Sequence, residues 1–271
     1  MSGATAADGT VSPTGEAIRA AKGRGAGALV GYLPIGYPDL ATSIEAAITL
    51  TRHGFDALEL GLPYSDPVID GPTIQAATTQ ALANGFKVRH AFEAVREISA
   101  ASDAAVLCMT YWNPVVAYGV DRFATDLRAA GGAGLITPDL IPEEAADWIA
   151  ASDAAGLDRV FLAAPTSGDD RLRRAAELSR GFTYVVSTMG ITGARSDVDD
   201  AARTLVGRLR AVTDRPLAVG IGISTGAQVA EVLEYADGAI VGSRLVTALG
   251  EGLESLADVA DELASGKRPR G

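Results

Sequence analysis

The chain has 271 residues, 48% of them hydrophobic, and a formal net charge of −11. That length supports a large core in one or two domains. The acidic balance excludes the basic face that nucleic acid or an anionic membrane would need. A single cysteine excludes an intrachain disulfide and makes a reducing compartment the default.

In chain order, residues 1–14 (MSGATAADGTVSPT) lack the cationic start and apolar centre of a secretion signal and read as a disordered tail. GEAIRAAKG reads as a helix placed to cap the bottom of the domain that follows. Strand-type runs then recur at 28–34, 57–61, 104–110, 134–137, 159–165, 182–188, 216–222 and 238–242. Between them lie segments such as LATSIEAAITLTRHG and VRHAFEAVREISAA, with helical apolar spacing and often a closing glycine. Each interval is long enough for a crossover helix.

Eight β/α units in one series predict a closed (β/α)8 barrel of TIM type with an extra N-terminal helix. The rival, a doubly wound open sheet, calls for a GxGxxG turn after the first strand, and LPIGYPDL is not one. The expected organisation is a tail over 1–14, one catalytic barrel over 15–265 and a short basic tail over 266–271. No run approaches the ~18–20 apolar residues of a membrane span, so the expected location is the cytoplasm. Cys108, in AAVLCMT, reads as core, and Trp112 and Trp148 as packing residues.

The informative stretch is ALELGLPYSDPVIDGPTIQ, 57–75. Strand alternation turns Ala57, Glu59 and Gly61 inward and Leu58 and Leu60 toward the helices. An inward carboxylate between small residues leaves room for a ligand, and the next loop lies at the end where barrel active sites are built. That loop places a second carboxylate, Asp70, between prolines that restrict it. Two acids in unlike surroundings suit acid–base chemistry, one shuttling protons and one stabilising positive charge. The competing reading is a structural salt bridge for Glu59 and a turn role for Asp70.

Strands six to eight run into TMGITG, GIGIS and VGSRL. Gly222, Gly242 and Ser243 therefore offer amides and a hydroxyl where loops meet helix N-termini, the recurrent phosphate site of such barrels. Tyr184 shares the inward parity of Phe182 and reads equally as a ligand donor or a core residue. Tyr111 and Asn113 fall in another loop on the active face. The three lysines, Lys22, Lys87 and Lys267, avoid the strand ends, which disfavours an imine mechanism. His53 and His90 lie apart, with no HxH or HExxH pattern, so a zinc site is not expected.

The motifs LELGLPYSDPVIDGPTIQ, PDLIPEE, FLAAPTS, YVVSTMGITGAR, GIGIS and VGSRLV, in this order over about residues 15–262, resemble the tryptophan synthase alpha chain family. The resemblance implies a (β/α)8 barrel that cleaves indole-3-glycerol phosphate to indole and glyceraldehyde 3-phosphate. It implies no cofactor in this chain, and a pyridoxal-phosphate beta chain as partner in an αββα heterotetramer. By matching position, Glu59 is the acid–base and Asp70 the carboxylate that meets the indole N–H. Tyr184 stands beside the substrate, Thr192 in the closing loop, and Gly193, Gly222, Gly242 and Ser243 at the phosphate. Pro63 and Asp66 fall in the loop that meets the beta chain. Thr188 stands where many members have arginine, and Ile221 where many have phenylalanine. The alternatives are a stand-alone lyase releasing indole and a non-catalytic subunit that binds phosphate ligands.

Overall fold

A computed structural model of the chain describes residues 12–186, 195–220 and 222–267. Its strands are β1 (Ala28–Pro34), β2 (Ala57–Gly61), β3 (Ala105–Met109), β4 (Gly134–Ile136), β5 (Asp158–Val160), β6 (Leu162–Ala163), β7 (Thr183–Val186), β8 (Leu217–Gly220) and β9 (Gly238–Val241). All pairings between these strands are parallel, in the order β5-β4-β3-β2-β1-β9-β8-β7-β6. The expected fifth strand, 159–165, is realised as two segments on either side of Phe161. Since β5 pairs with β4 and β6 with β7, this one stretch closes the ring. Phe161 gives its amide to Ser179 Oγ at 3.2 Å, while its carbonyl accepts from Tyr184 N at 3.1 Å. The serine takes the N–H out of the ladder without opening the barrel.

Strand alternation sorts the core into two layers. Ala28, Val30, Ala57, Leu107, Ile136, Phe182 and Ile240 pack together inside the ring. Leu58, Leu60 and Cys108 belong to the larger layer between strands and helices. Cys108 is fully buried, and burial pushes its thiol up to about 12, which suits a core residue rather than a nucleophile.

Helix α1 (Pro13–Gly23) begins at Pro13 rather than at residue 15. Ser12 caps it by accepting from Gly15 N at 3.1 Å, and proline at the first position has no amide to satisfy. Ile18 and Ala21 then seal the interior layer from the amino-terminal end. The helices α2 (Leu40–Arg52), α3 (Pro72–Ala83) and α4 (Val88–Ala101) cover the first strands.

After β3 the stretch expected as a loop folds as α5 (Trp112–Tyr118), followed by α6 (Val120–Ala129). Two features permit this. Pro114 lies in the first turn, where no amide is needed, and the Asp139 carboxylate accepts from Trp112 N at 2.9 Å, capping the helix from a distant loop. Trp112 packs edge-on against the fully buried Trp148, ring centroids 6.4 Å apart, so both tryptophans serve packing. No helix among the described residues is long and apolar enough to cross a membrane.

Candidate active site

Glu59 sits in the middle of β2, in register with Tyr32 of β1 on one side and Leu107 of β3 on the other. It is 0% exposed, and neither carboxyl oxygen has a hydrogen-bond partner among the described residues. The alternative of a structural salt bridge is thereby excluded among those residues. Burial with no compensating partner raises its pKa from 4.5 to about 8. At neutral pH this carboxyl is a protonated acid.

The carboxyl end of β2 leads into the loop 62–71. Leu62 N donates to Met109 O at 2.9 Å, which ties the loop's start to β3. Tyr111, at the N-terminus of α5, accepts from Ile69 N at 2.9 Å, and its ring packs 5.2 Å from that of Tyr64. Gln75 of α3 donates to Pro67 O at 3.2 Å and Asp70 O at 2.8 Å, and Asp70 N donates to Pro67 O at 3.2 Å. Asp70 is thus fixed by its backbone just before α3, in a half-buried position where burial raises its pKa to about 6. The two acids differ as acid–base work requires, one protonated at pH 7 and the other mostly ionised. Tyr111, read as a substrate residue, also anchors the loop that holds Asp70. Asn113 donates to Tyr64 Oη at 3.3 Å.

Two tyrosines flank Glu59. Tyr184 of β7 belongs to the interior layer, and a Cβ on Gly220 of β8 would stand 2.5 Å from its hydroxyl. Tyr32 of β1 lies the same way over Gly61 of β2, whose Cβ would collide with its hydroxyl, and its ring edge faces Gly242. Burial first, then the charge of Glu59 and, for Tyr32, that of Asp70 before it, push both phenols above their ordinary value. Sequence reasoning missed Tyr32. Its signal was the parity shared with Ala28 and Val30, combined with the adjacency of the first two strands.

Three of the expected phosphate residues, Gly222, Gly242 and Ser243, sit at the ends of adjacent strands β8 and β9. Gly222 has φ +73°, a left-handed conformation that favours glycine, with open space where a Cβ would go. Gly242 precedes α7 (Ser243–Glu251), whose first residue is the exposed Ser243 and whose N-terminus has no side-chain cap. Uncapped amides at a helix start present a partial positive charge. Thr188, Thr192, Gly193 and Ile221 lie outside the described residues. Of the two expected interface residues, Asp66 is exposed and accepts from Ser65 Oγ at 2.5 Å, whereas Pro63 is buried within the chain. Beside them Val68 and Ile69 are 83% and 51% exposed. No group of three or more His, Cys, Asp or Glu among the described residues is arranged to hold a metal ion.

Comparison with known proteins gives one consistent result. The family model described as "Tryptophan synthase alpha chain" matches residues 18–268. The tryptophan synthase alpha chain of Leifsonia xyli subsp. xyli is 64% identical over 257 residues, covering 94% of this chain and 98% of the relative. A structure of Mycobacterium tuberculosis tryptophan synthase aligns with a TM-score of 0.91 at 53% identity, covering 95% of this chain and 99% of that one. A chain in the tryptophan synthase α2β2 complex of Pyrococcus furiosus aligns with a TM-score of 0.83 at 37% identity, covering 88% and 98%.

Proposed function

The chain belongs to the tryptophan synthase alpha chain family, and from that premise we propose that Glu59 and Asp70 carry the chemistry of its reaction. The reaction is retro-aldol cleavage of indole-3-glycerol phosphate to indole and glyceraldehyde 3-phosphate. The indole passes to the beta chain of an αββα complex. The observation that carries the assignment is the Glu59 carboxyl, inward, fully buried and without a hydrogen-bond partner among the described residues.

The electron sink is the indole ring. Glu59, protonated at neutral pH, gives its proton to indole C3, which creates an indoleninium cation. Asp70, as a carboxylate, accepts from the ring N1–H and stabilises that cation. Glu59, now ionised, takes the proton from the side-chain hydroxyl on the carbon attached to C3. The carbon–carbon bond breaks as the aldehyde forms, its electron pair returns to the ring, and Glu59 regains its proton. The working state has Asp70 ionised and Glu59 protonated. With values of about 6 and about 8, kcat/KM is expected to rise through the first and fall through the second.

Gly222, Gly242 and Ser243 would hold the substrate phosphate through amides and the α7 N-terminus, with Gly193 and Thr192 contributing as the family resemblance implies. Tyr184 would border the indole. Loop 62–71, with Asp66 and the exposed Val68 and Ile69, would face the beta chain, since exposed apolar side chains gain by being covered. Pyridoxal phosphate belongs to the beta chain in this reading. The whole barrel over 15–265 acts as the catalytic unit, in the cytoplasm.

The test is indole release from indole-3-glycerol phosphate by the purified chain, with and without a beta chain. Slow release that rises sharply with the partner is expected. In the same assay Glu59→Gln should lose about 10³-fold in kcat, within the usual range for a general acid–base. Retained turnover by that variant removes the proton-transfer role. Fast release without a partner makes the chain a stand-alone lyase.

A further inference from the structure

The motif PDLIPEE contributes to the family resemblance, yet the site reading above gives none of its residues a task. Asp139 is its first acid. It follows β4 at the same end of the parallel barrel as the loop after β2. Its carboxylate turns to a segment 27 residues earlier and accepts from Trp112 N, through Oδ1 at 2.9 Å and Oδ2 at 3.1 Å. Helix α5 depends on that acceptor. It has only seven residues, and Tyr111 at its N-cap supplies no side-chain hydrogen bond. Two helical turns do not persist on their own hydrogen bonds. A carboxylate at the start meets both the free amide and the positive end of the helix dipole.

The first turn of α5 in its turn holds the loop that carries Asp70. Tyr111 is buried, and its hydroxyl accepts from Ile69 N at 2.9 Å, one residue before Asp70. Its ring lies 5.2 Å from that of Tyr64, near the start of the same loop, and Asn113 Nδ2 donates to Tyr64 Oη at 3.3 Å. Both ends of loop 62–71 thus rest on residues 111 and 113. The amide between them, that of Trp112, is the one Asp139 takes. Each step from Asp139 to Asp70 is therefore a hydrogen bond or a bond of the chain.

We propose that Asp139 is a positioning residue of this site: its carboxylate fixes the first turn of α5, and through Tyr111 that turn aims Asp70 at the indole N–H. The proposal rests on the assignment of Asp70 given above. Without the carboxylate the Trp112 amide turns to water and the short helix frays at its start. Tyr111 then loses the backbone that sets its hydroxyl against Ile69 N. Asp70 keeps its charge and loses its direction. That removes stabilisation of the transition state rather than substrate binding, so the loss falls on kcat. Glu59, on β2, is untouched.

The experiment is steady-state cleavage of indole-3-glycerol phosphate in complex with a beta chain, with amide exchange on the same samples. The variants are Asp139→Ala, Asp139→Asn, Tyr111→Phe, the double variant Asp139→Ala with Tyr111→Phe, and Asp70→Asn. Asp139→Ala should lower kcat roughly three- to tenfold, the rate equivalent of a lost N-terminal cap, with KM near wild type. Exchange should speed up in residues 111–118 and in 62–71. Asp139→Asn keeps an oxygen for the Trp112 amide, and asparagine caps as well as aspartate, so it should recover most of the rate. Because Asp139 acts through Tyr111, the double variant should be no slower than the slower single one. Losses that multiply, or Asp139→Asn as slow as Asp139→Ala, overturn the proposal. So does faster exchange confined to α5 with kcat unchanged, which makes Asp139 a helix cap alone. If Asp70→Asn is inactive in any of those cases, the two-carboxylate reading stands and only the role of Asp139 falls. If Asp70→Asn turns over at the wild-type rate, the reading beneath it falls first.

Discussion

At the floor of the barrel, Asp237 accepts from Lys22 Nζ at 3.0 Å, from Leu217 N at 2.9 Å and from Arg210. Nearby, Asp56 takes Arg24 at 2.8 Å, Lys267 at 2.5 Å and Leu29 N at 2.8 Å. At the mouth, Glu59 and Asp70 are withdrawn from solvent with no cation beside them among the described residues. Burial pushes Asp237 up, but the hydrogen bonds of Arg210, Leu217 and Lys22 outweigh it and the net shift is downward. For Glu59 burial acts alone and the shift is upward. Asp158 falls between: burial raises it, and hydrogen bonds from Thr14 and Ser12 and the charge of Arg180 only partly offset this. Burial is therefore common to both ends, and pairing separates the acids of the floor from those of the mouth. A cavity of about 1040 Å³ at the floor, lined by Lys22, Arg210, Arg215 and Asp237, makes the same point. Three of its charged groups are already committed to one another.

The largest test of this contrast is Glu59→Gln read as stability as well as rate. The folded-state pKa of Glu59 is about 8 against an ordinary 4.5. Between those values the folded chain holds a proton that the unfolded chain has released. Raising the pH therefore favours unfolding, and stability falls by at most about 1.4 kcal/mol per pH unit in that window. Glu59→Gln cannot ionise. It should be inactive yet melt at or above wild type at pH 8, with the gap closing as pH falls toward 5. A variant that is both inactive and less stable at pH 8 would mean the carboxylate has a structural partner after all.

Asp237→Ala should do the reverse. It removes the acceptor for Leu217 N and leaves Arg210, a one-third exposed cation, without its carboxylate. A loss of about 2 kcal/mol is expected, discounted from the cost of breaking a fully buried pair because Lys22 is 72% exposed. The indole-releasing kcat of the folded fraction should not change. Denaturant unfolding with the activity assay checks both, and a drop in kcat at full folding would tie the floor to the chemistry.

The sequence made the mouth more legible than the floor, for a physical reason. Strand alternation and a carboxylate in an apolar run are local signals, and they located Glu59, Asp70 and the glycine ends of the last strands. Lys22 and Asp237 are separated by 215 residues, and Thr14 and Asp158 by 144, so only the closed ring reveals those pairs. Tyr32 was hidden because a tyrosine in ALVGYLP reads as packing until the register with β2 is known. Helix α5 was hidden because its N-terminal acceptor, Asp139, comes from a later loop. The break at Phe161 likewise depends on Ser179, which no local pattern announces.

The smallest effect concerns the loop that joins the two acids of the mouth. Tyr111→Phe deletes the acceptor for Ile69 N but keeps the ring stacked near Tyr64. Ile69 is half exposed, so water can replace the lost partner, and the cost should be only about 0.5–1 kcal/mol. That cost falls locally, on the segment whose backbone aims Asp70, rather than on the barrel. Amide exchange should speed up in residues 62–71 with the strands unchanged, and kcat/KM should fall by roughly two- to fivefold, the same free energy read as a rate. Glu59, held by a strand instead of a loop, keeps its raised pKa, so the basic limb of the pH profile should stay in place. Unchanged exchange in the loop would show that Gln75 and the prolines suffice to hold Asp70, and that Tyr111 acts on the substrate alone.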